Sequence, residues 1–317
     1  MLKKIVFTAL GLVLASGIAF AGAPKVAADI APIHSLVSKV MDGVGAPDLI
    51  IPAGASLHQY QLRPSEAKSL QDAKIVFWVG EDLSPWLQKT IFNLNKDASI
   101  TALLEVNGIK LLDFRESALF EQHDHSDHGS HESHAKKKES HEDHHDHGKY
   151  DPHAWLSPEI AKVWLNVIAR KLSEVDPDNA TTYFKNAKKA RQDLDALSKE
   201  INKKLDPIRN KKFIVFHDAY QYFENDFKIS ASGAIALGDA TAPSPARLAI
   251  IRQRVKDEAI QCVLAEPQFK EGLVRATVQG TNSNIAVIDP LGVSLKVGVS
   301  LYDNLILNLA NNLVKCF

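Results

Sequence analysis

The chain has 317 residues, of which 45% are hydrophobic, enough for one large domain or for two lobes with cores of their own. Its 37 Lys and Arg residues balance its 38 Asp and Glu residues. The lysine run at 136–138 is too short to form a basic surface that binds nucleic acid. These values argue against a nucleic-acid-binding protein and against a chain that is disordered over most of its length.

The first 21 residues have the layout of a secretory signal peptide. Lys3 and Lys4 precede an uncharged run at 5–20, and Ala19 and Ala21 are small residues at the positions that determine cleavage. We expect cleavage after Ala21 and export of the mature chain as a soluble protein. The alternative is an uncleaved N-terminal anchor. Charged side chains interrupt every later apolar run, so we expect no further membrane span.

Residues 22–176 are predicted to form an N-terminal α/β lobe. Strands are predicted at 25–30, 47–51, 75–79, 99–103 and 109–112. Helices are predicted at 32–41, 64–72, 83–94 and 158–175. Prolines at first helical turns mark several helix starts, and Ser157 before Pro158 is a typical N-cap. The continuous apolar run at 75–79 is typical of a strand that is covered on both faces.

Residues 177–207 are predicted to be a linking helix, because 179–205 contain neither glycine nor proline. Its apolar side chains recur at helical steps at Leu194, Leu197, Ile201 and Leu205. At 1.5 Å per residue such a helix is about 40 Å long and could join two lobes as a rigid strut. A packed surface helix would have the same periodicity.

Residues 208–317 are predicted to form a C-terminal α/β lobe. Strands are predicted at 213–216, 262–265 and 285–288. Helices are predicted at 219–227, 247–258, 273–280 and 300–314, with a polar loop at 238–245. Strands that alternate with helices predict an α/β fold of two lobes, each with a parallel sheet flanked by helices. Ligands of such sheets lie beyond the carboxyl ends of the strands.

The segment 121–149 is rich in histidine and acidic residues, and Ala135 is its only apolar residue. The histidines are His123, His125, His128, His131, His134, His141, His144, His145 and His147. Such a segment buries too little surface to offset its ordering entropy, so we predict a mobile loop. Imidazole and carboxylate groups are ligands for zinc, so we expect the loop to hold auxiliary, weak metal sites.

Three of the remaining four histidines occupy positions where α/β lobes bind ligands. His58 lies in a loop after a strand, His153 precedes a helix, and His217 follows a strand of the other lobe. A site made of all three lies in the cleft between the lobes and suits tetrahedral zinc. Asp289 ends a further strand and is the natural fourth ligand, with water as the rival. Each residue could equally be an ordinary structural one, as we expect for His34.

The two cysteines, Cys262 and Cys316, most simply form one disulfide in an oxidising compartment. The bond would join an internal strand to the end of the chain. The alternative, a pair of zinc ligands, is weaker because no CxxC motif is present.

Five motifs resemble the zinc-binding solute-binding proteins of bacterial ABC importers, the cluster A-I family. In order along the chain they are 54–65 (GASLHQYQLRPS), 153–159 (HAWLSPE), 216–220 (FHDAY), 265–269 (AEPQF) and 289–292 (DPLG). The resemblance extends over nearly the whole mature chain and includes the acidic His-rich loop and the two cysteines. It implies two lobes joined by a rigid helix, one zinc ion in the cleft, and delivery to an inner-membrane permease. We expect a monomer.

The resemblance places metal ligands on His58, His153 and His217. Manganese and iron relatives usually have a carboxylate where His217 stands, so a third imidazole favours zinc. Some zinc members have Glu directly before the first ligand, whereas this chain has Leu57. The fourth position therefore falls to Asp289, to water or to a loop histidine.

Asp218 and Glu266 are candidates for orienting the ligands by hydrogen bonds. The sequence thus predicts a zinc-binding protein of high-affinity uptake, not an enzyme. Two alternatives are a manganese or iron binder (or metal buffer) of the same architecture and a periplasmic zinc hydrolase with a metal-bound water. The hydrolase is less favoured because the sequence offers no obvious general base beside the site.

Overall fold

The structure is a computed structural model that describes residues 22–57, 60–115, 119–120, 150–236, 238 and 243–317. The predicted leader at 1–21, the predicted ligand His58 and the His-rich segment 121–149 lie outside these residues. Within the described part of the chain, no helix has the length and apolar character needed to cross a membrane.

The first half of the chain forms a four-stranded parallel sheet in the order β2-β1-β3-β4. The strands are β1 (Val26–Ala28), β2 (Asp48–Leu49), β3 (Ile75–Trp78) and β4 (Ser99–Ala102). Its helices are α1 (Ala31–Val40), α2 (Pro64–Asp72), α3 (Pro85–Leu94) and α4 (Pro158–Val175). β3 is buried throughout, as its continuous apolar run predicts. Ser157 caps α4, with its hydroxyl oxygen accepting the N–H of Ile160 at 3.0 Å.

The strand predicted at 109–112 is wrong. Instead, the N–H of Leu112 donates to the hydroxyl of Tyr222, and its carbonyl accepts the N–H of Asp151. These backbone groups are therefore used outside the sheet. An isolated antiparallel bridge between Asp113 and Tyr150 follows directly.

The helix α5 (Ala180–Leu205) contacts α4 and α1 of the first half of the chain and the last helix of the second half. Its buried residues recur at helical spacing, at Tyr183, Ala187, Ala190, Leu194, Ile201 and Leu205. The predicted long helix is confirmed, and it packs on elements of both lobes. The division into 22–176, 177–207 and 208–317 stays a prediction.

The second half forms another four-stranded parallel sheet, in the order β6-β5-β7-β8. Its strands are β5 (Phe213–His217), β6 (Ala234–Ala236), β7 (Cys262–Ala265) and β8 (Asn284–Val287). Its helices are α6 (Gln221–Phe227), α7 (Pro245–Asp257), α8 (Glu271–Val278) and α9 (Leu301–Lys315). The two sheets confirm the predicted two-lobe α/β fold. The disulfide between Cys262 and Cys316 is present and joins β7 to the end of α9.

β6 was not predicted, because Ala234, Ile235 and Ala236 form a very short run with a single β-branched residue. Its place in the sheet comes from pairing with β5, where Val215 lies opposite Ala234 and His217 opposite Ala236. The polar loop predicted at 238–245 is described only at 238 and 243–245, and Pro245 already begins α7.

Candidate metal centre

His153 is held by a carboxylate two residues before it. The Oδ1 atom of buried Asp151 accepts the backbone N–H of His153 at 2.9 Å and its ring Nδ1–H at 2.7 Å. The backbone of Asp151 is itself fixed, because its carbonyl accepts the hydroxyl of Tyr222 at 2.8 Å. A carboxylate only accepts, so Nδ1 carries the ring proton and a metal bound by this imidazole would bind Nε2.

The turn after His153 ties this loop to the second half of the chain. Residues 154–156 form a single 3₁₀ turn that leads into the capped start of α4. The indole N–H of Trp155 donates to the carbonyl of Pro290 at 2.8 Å, and the hydroxyl of Tyr302 donates to the carbonyl of Trp155 at 2.8 Å. The position of His153 therefore depends on contacts between the two lobes.

His217 ends β5, and its partner follows β7. The Oε1 atom of buried Glu266 accepts the ring Nδ1–H of His217 at 2.7 Å and its backbone N–H at 3.3 Å. The two residues are 49 apart in the chain, but β5 and β7 are neighbouring parallel strands whose carboxyl ends meet at one edge of the sheet. Tyr220 lies beside this pair, and its pKa is raised by burial and by the Glu266 carboxylate.

The two imidazole rings line one cavity of about 220 Å³ between the lobes. Their centroids are 5.3 Å apart and their planes make an angle of 64°. Phe269 forms part of the second lobe's wall, stacked on Phe216 at 4.2 Å and edge-on to His217 at 5.5 Å. The wall of the first lobe consists of the loop 54–57 together with His153 and Trp155.

The loop 54–57 is rigidly attached on its own side. The carbonyl of Leu57 accepts both the hydroxyl of Ser84 at 2.9 Å and the indole N–H of Trp86 at 2.8 Å. Gly54 has a φ of +83°, a conformation that side chains with a Cβ rarely adopt, and a Cβ there would lie 3.4 Å from Val293. Leu57, the last described residue before His58, lines the cavity.

Asp289 shapes the opposite wall. Its carboxylate accepts the backbone N–H groups of Leu291 at 3.0 Å, Gly292 at 2.9 Å and Val293 at 2.6 Å. Pro290 and Leu291 of this turn line the cavity. Across the residues that the structure describes, no three His, Cys, Asp or Glu side chains are arranged to hold one metal ion. In this arrangement Asp289 does not group with His153 and His217 around one point, and His58 is outside the described residues.

Comparison with known proteins decides the family. Residues 26–316 match the family model described as zinc-uptake complex component A, periplasmic (ZnuA). The chain belongs to the ZnuA family. A high-affinity zinc uptake system protein ZnuA of Brucella abortus is 47% identical to this ZnuA family member over 303 residues, 92% of this chain and 91% of that protein. The ZnuA of Yersinia pestis is 34% identical over 99% of this chain and 97% of its own.

Solved structures support the same fold for this ZnuA family member. A crystal structure of ZnuA superposes with a TM-score of 0.73, covering 93% of this chain and 98% of that one, at 23% identity. The likeness to that structure concerns the arrangement of helices and strands.

Of the two residues predicted to orient the ligands in this ZnuA family member, only Glu266 contacts an imidazole. Asp218 instead pairs with Arg115, with Nε of the arginine 3.0 and 2.9 Å from its two carboxylate oxygens. Burial raises the pKa of Asp218 to about 6, and Arg115 opposes that rise. His34 is structural, as expected, and its Nε2–H donates to the carbonyl of Pro47 at 2.9 Å.

The contact of Asp151 with the candidate ligand His153 was not predicted. The signal was present, because a carboxylate two residues before a candidate histidine can reach both the backbone and the ring of that histidine. Asp218 was predicted to contact His217 because it is the next residue in the sequence. Its carboxylate instead faces Arg115.

Proposed function

We propose that this protein is the periplasmic zinc-binding component of an ABC importer, which captures Zn²⁺ and delivers it to an inner-membrane permease. The observation that carries the proposal is a pair of imidazoles from opposite lobes, 5.3 Å apart in one cavity and each backed by a buried carboxylate. Membership of the ZnuA family supports the same role.

The geometry of the pair suits a tetrahedral ion. With Zn–N bonds near 2.0–2.1 Å, two imidazoles on one tetrahedral zinc have ring centroids roughly 5 Å apart. The observed separation of 5.3 Å is close to that value. Asp151 and Glu266 each engage Nδ1, so both rings would bind through Nε2, with the carboxylates fixing the tautomer and strengthening the ligand.

We assign the third ligand to His58, because the loop 54–57 that precedes it lines the same cavity. Asp289 is the candidate for the fourth ligand, with water or a histidine of 121–149 as rivals. The Asp289 carboxylate already accepts three backbone N–H groups, so it would have to bind the ion through a remaining lone pair.

A binding role fits the site better than zinc-dependent hydrolysis. Asp151 and Glu266, the carboxylates beside the described imidazoles, each accept a ring N–H, so neither is placed to take a proton from a metal-bound water. A manganese or iron site is less favoured, because His217 supplies imidazole where those metals usually receive a carboxylate.

The remaining assignments complete this role. We propose that 1–21 are a leader removed on export, that the histidines of 121–149 collect zinc at weak auxiliary sites, and that the mature chain acts as a monomer. Removal of 122–149 should therefore abolish the weak sites and leave one tight site. Loss of the tight site in that deletion would contradict this division of roles.

The test is metal analysis of protein purified without added metal, followed by zinc titration against a chelator and competition with Mn²⁺. We expect one tightly held zinc per chain that excess Mn²⁺ does not displace. Preferential retention of manganese or iron would favour the alternative metals. Zinc-dependent turnover in a screen of ester and peptide substrates would favour the hydrolase.

A further inference from the structure

A short arm of the first lobe lies on the second lobe. The arm comprises 112–115 and 119–120, which precede the His-rich segment. At its start, the N–H of Leu112 donates to the hydroxyl of Tyr222 in α6 at 3.0 Å. At its end, Leu119 forms an isolated antiparallel bridge with Gly233, directly before β6. The lobes are therefore joined by this arm in addition to α5.

Arg115 fixes the arm by a bidentate contact to each of two carboxylates. Its Nε and Nη2 donate to the carboxylate of Asp218, while Nη1 and Nη2 donate to Glu224 at 2.9 and 3.0 Å. The Asp218 and Glu224 side chains are only 4% and 6% exposed, and that of Arg115 is 18% exposed. The ring of Phe120 covers the guanidinium, with its centroid 3.6 Å from Cζ.

This cluster is costly to break. Removal of one partner from a buried ion pair is strongly destabilising, because it leaves an uncompensated charge in a poorly solvated place. Here the guanidinium faces two carboxylates, and Glu224 Oε2 also accepts the N–H of Ala231 at 3.1 Å. The arm is therefore held on the second lobe more firmly than an exposed loop would be.

The arm also contacts both segments that carry the imidazoles. Asp218, which forms an ion pair with Arg115, directly follows His217. Leu112 accepts the N–H of Asp151 at 2.9 Å, and Asp151 holds the ring of His153. A displacement of the arm would therefore shift the segments that carry His153 and His217.

From these contacts we propose that Arg115 is a positioning residue for the metal site: it latches the arm to the second lobe, keeps the two imidazoles at binding distance and thereby slows zinc release. The inference rests on the proposed function and adds a determinant of zinc retention that lies outside the cavity. Arg115 itself does not bind the metal.

The test compares Arg115→Met with Lys39→Met in the full chain. Lys39 is a matched control, because its buried side chain forms a 2.7 Å ion pair with the half-buried Asp303 that joins α1 to α9 and does not line the cavity. Zinc-loaded protein is mixed with excess chelator in a stopped-flow instrument, and thermal unfolding is recorded for every variant. We expect zinc release to be about tenfold faster in Arg115→Met, equal to the smallest loss of metal affinity typical of groups that bond directly to a ligand, and unchanged within about twofold in Lys39→Met.

Further variants separate positioning from general destabilisation. Arg115→Lys retains the charge but cannot form both bidentate contacts, so its release rate should lie between those of wild type and Arg115→Met. If Arg115→Met does not fold, the charge-neutral triple variant Arg115→Met/Asp218→Asn/Glu224→Gln replaces it, with the same expected acceleration.

The inference would be overturned if Arg115→Met or the triple variant released zinc at the wild-type rate. It would also be overturned if Lys39→Met, at the same loss of melting temperature, released zinc as fast as Arg115→Met. If wild type itself held no tight zinc, the proposed function would fail as well. Tight binding in wild type together with unchanged release in the variants would overturn this inference alone.

Discussion

The two imidazole–carboxylate pairs of the cavity have the same geometry but different origins. His153 and Asp151 are two residues apart and form their pair within one loop, whereas His217 and Glu266 are 49 apart and meet through the pairing of β5 with β7. Both have an Nδ1–oxygen distance of 2.7 Å. One side of the cavity is thus assembled locally, while the other exists only when the second sheet is formed.

The largest expected effect comes from removing either imidazole. If both sides bind the same ion, His153→Ala and His217→Ala should each weaken tight zinc binding by more than the 10–100-fold typical of outer-shell partners. Chelator competition measures both affinities under one set of conditions. An unchanged isotherm for either variant would show that only one side of the cavity binds.

The pH dependence of zinc binding counts the imidazoles that take part. Imidazole must lose its proton to bind a metal, and histidine side chains in general take up protons near pH 6.5. Zinc affinity should therefore fall as the pH is lowered from about 7.5 to about 5.5, and more steeply if both histidines bind than if only one does. The slope of log affinity against pH should approach two or more at the acidic end. A limiting slope of one would mean that a single imidazole binds.

The carboxylates provide a direct comparison between the two pairs. Glu266→Gln and Asp151→Asn each replace a charge by an amide of the same shape, and each should weaken zinc binding about 10–100-fold. Because the two Nδ1–oxygen distances are equal, we expect the two losses to agree within about tenfold. A larger difference, measured in the same chelator assay, would show that one side dominates.

The smallest effect on affinity is expected from loss of the disulfide. Cys262 begins β7, while Glu266 lies beyond the opposite end of that strand. In the chain-entropy model, Cys262→Ser/Cys316→Ser should lower the free energy of unfolding by about 4 kcal/mol for a 54-residue separation. Zinc affinity should change less than about threefold. A larger loss of zinc affinity would show that the contact between His217 and Glu266 depends on the disulfide at the other end of β7.

Most of the fold could be predicted from local patterns. The apolar runs of β3, β5 and β7 and the capped start of α4 follow directly from the sequence. β6 could not, because its three residues become a strand only by pairing with β5. The strand predicted at 109–112 failed because the backbone of Leu112 bonds instead with Tyr222 and Asp151.

The site was predicted less completely than the fold. His153 and His217 could be selected because they follow or precede regular elements, and the structure brings them to one cavity. Which carboxylate serves His217 depends on strand neighbours, which sequence adjacency does not show, so Asp218 and Glu266 were equal candidates. The ion pairs from Arg115 to Asp218 and Glu224 span more than a hundred residues and leave no local signal.

Whether the two imidazoles bind one ion is tested most directly by a crystal structure of the protein loaded with one equivalent of zinc, with the ion located by anomalous scattering. We expect a single strong peak between the lobes, with Nε2 of His153 and Nε2 of His217 both about 2.0–2.1 Å from it. A tightly bound zinc ion that touches only one of the two rings, or neither, would contradict this expectation.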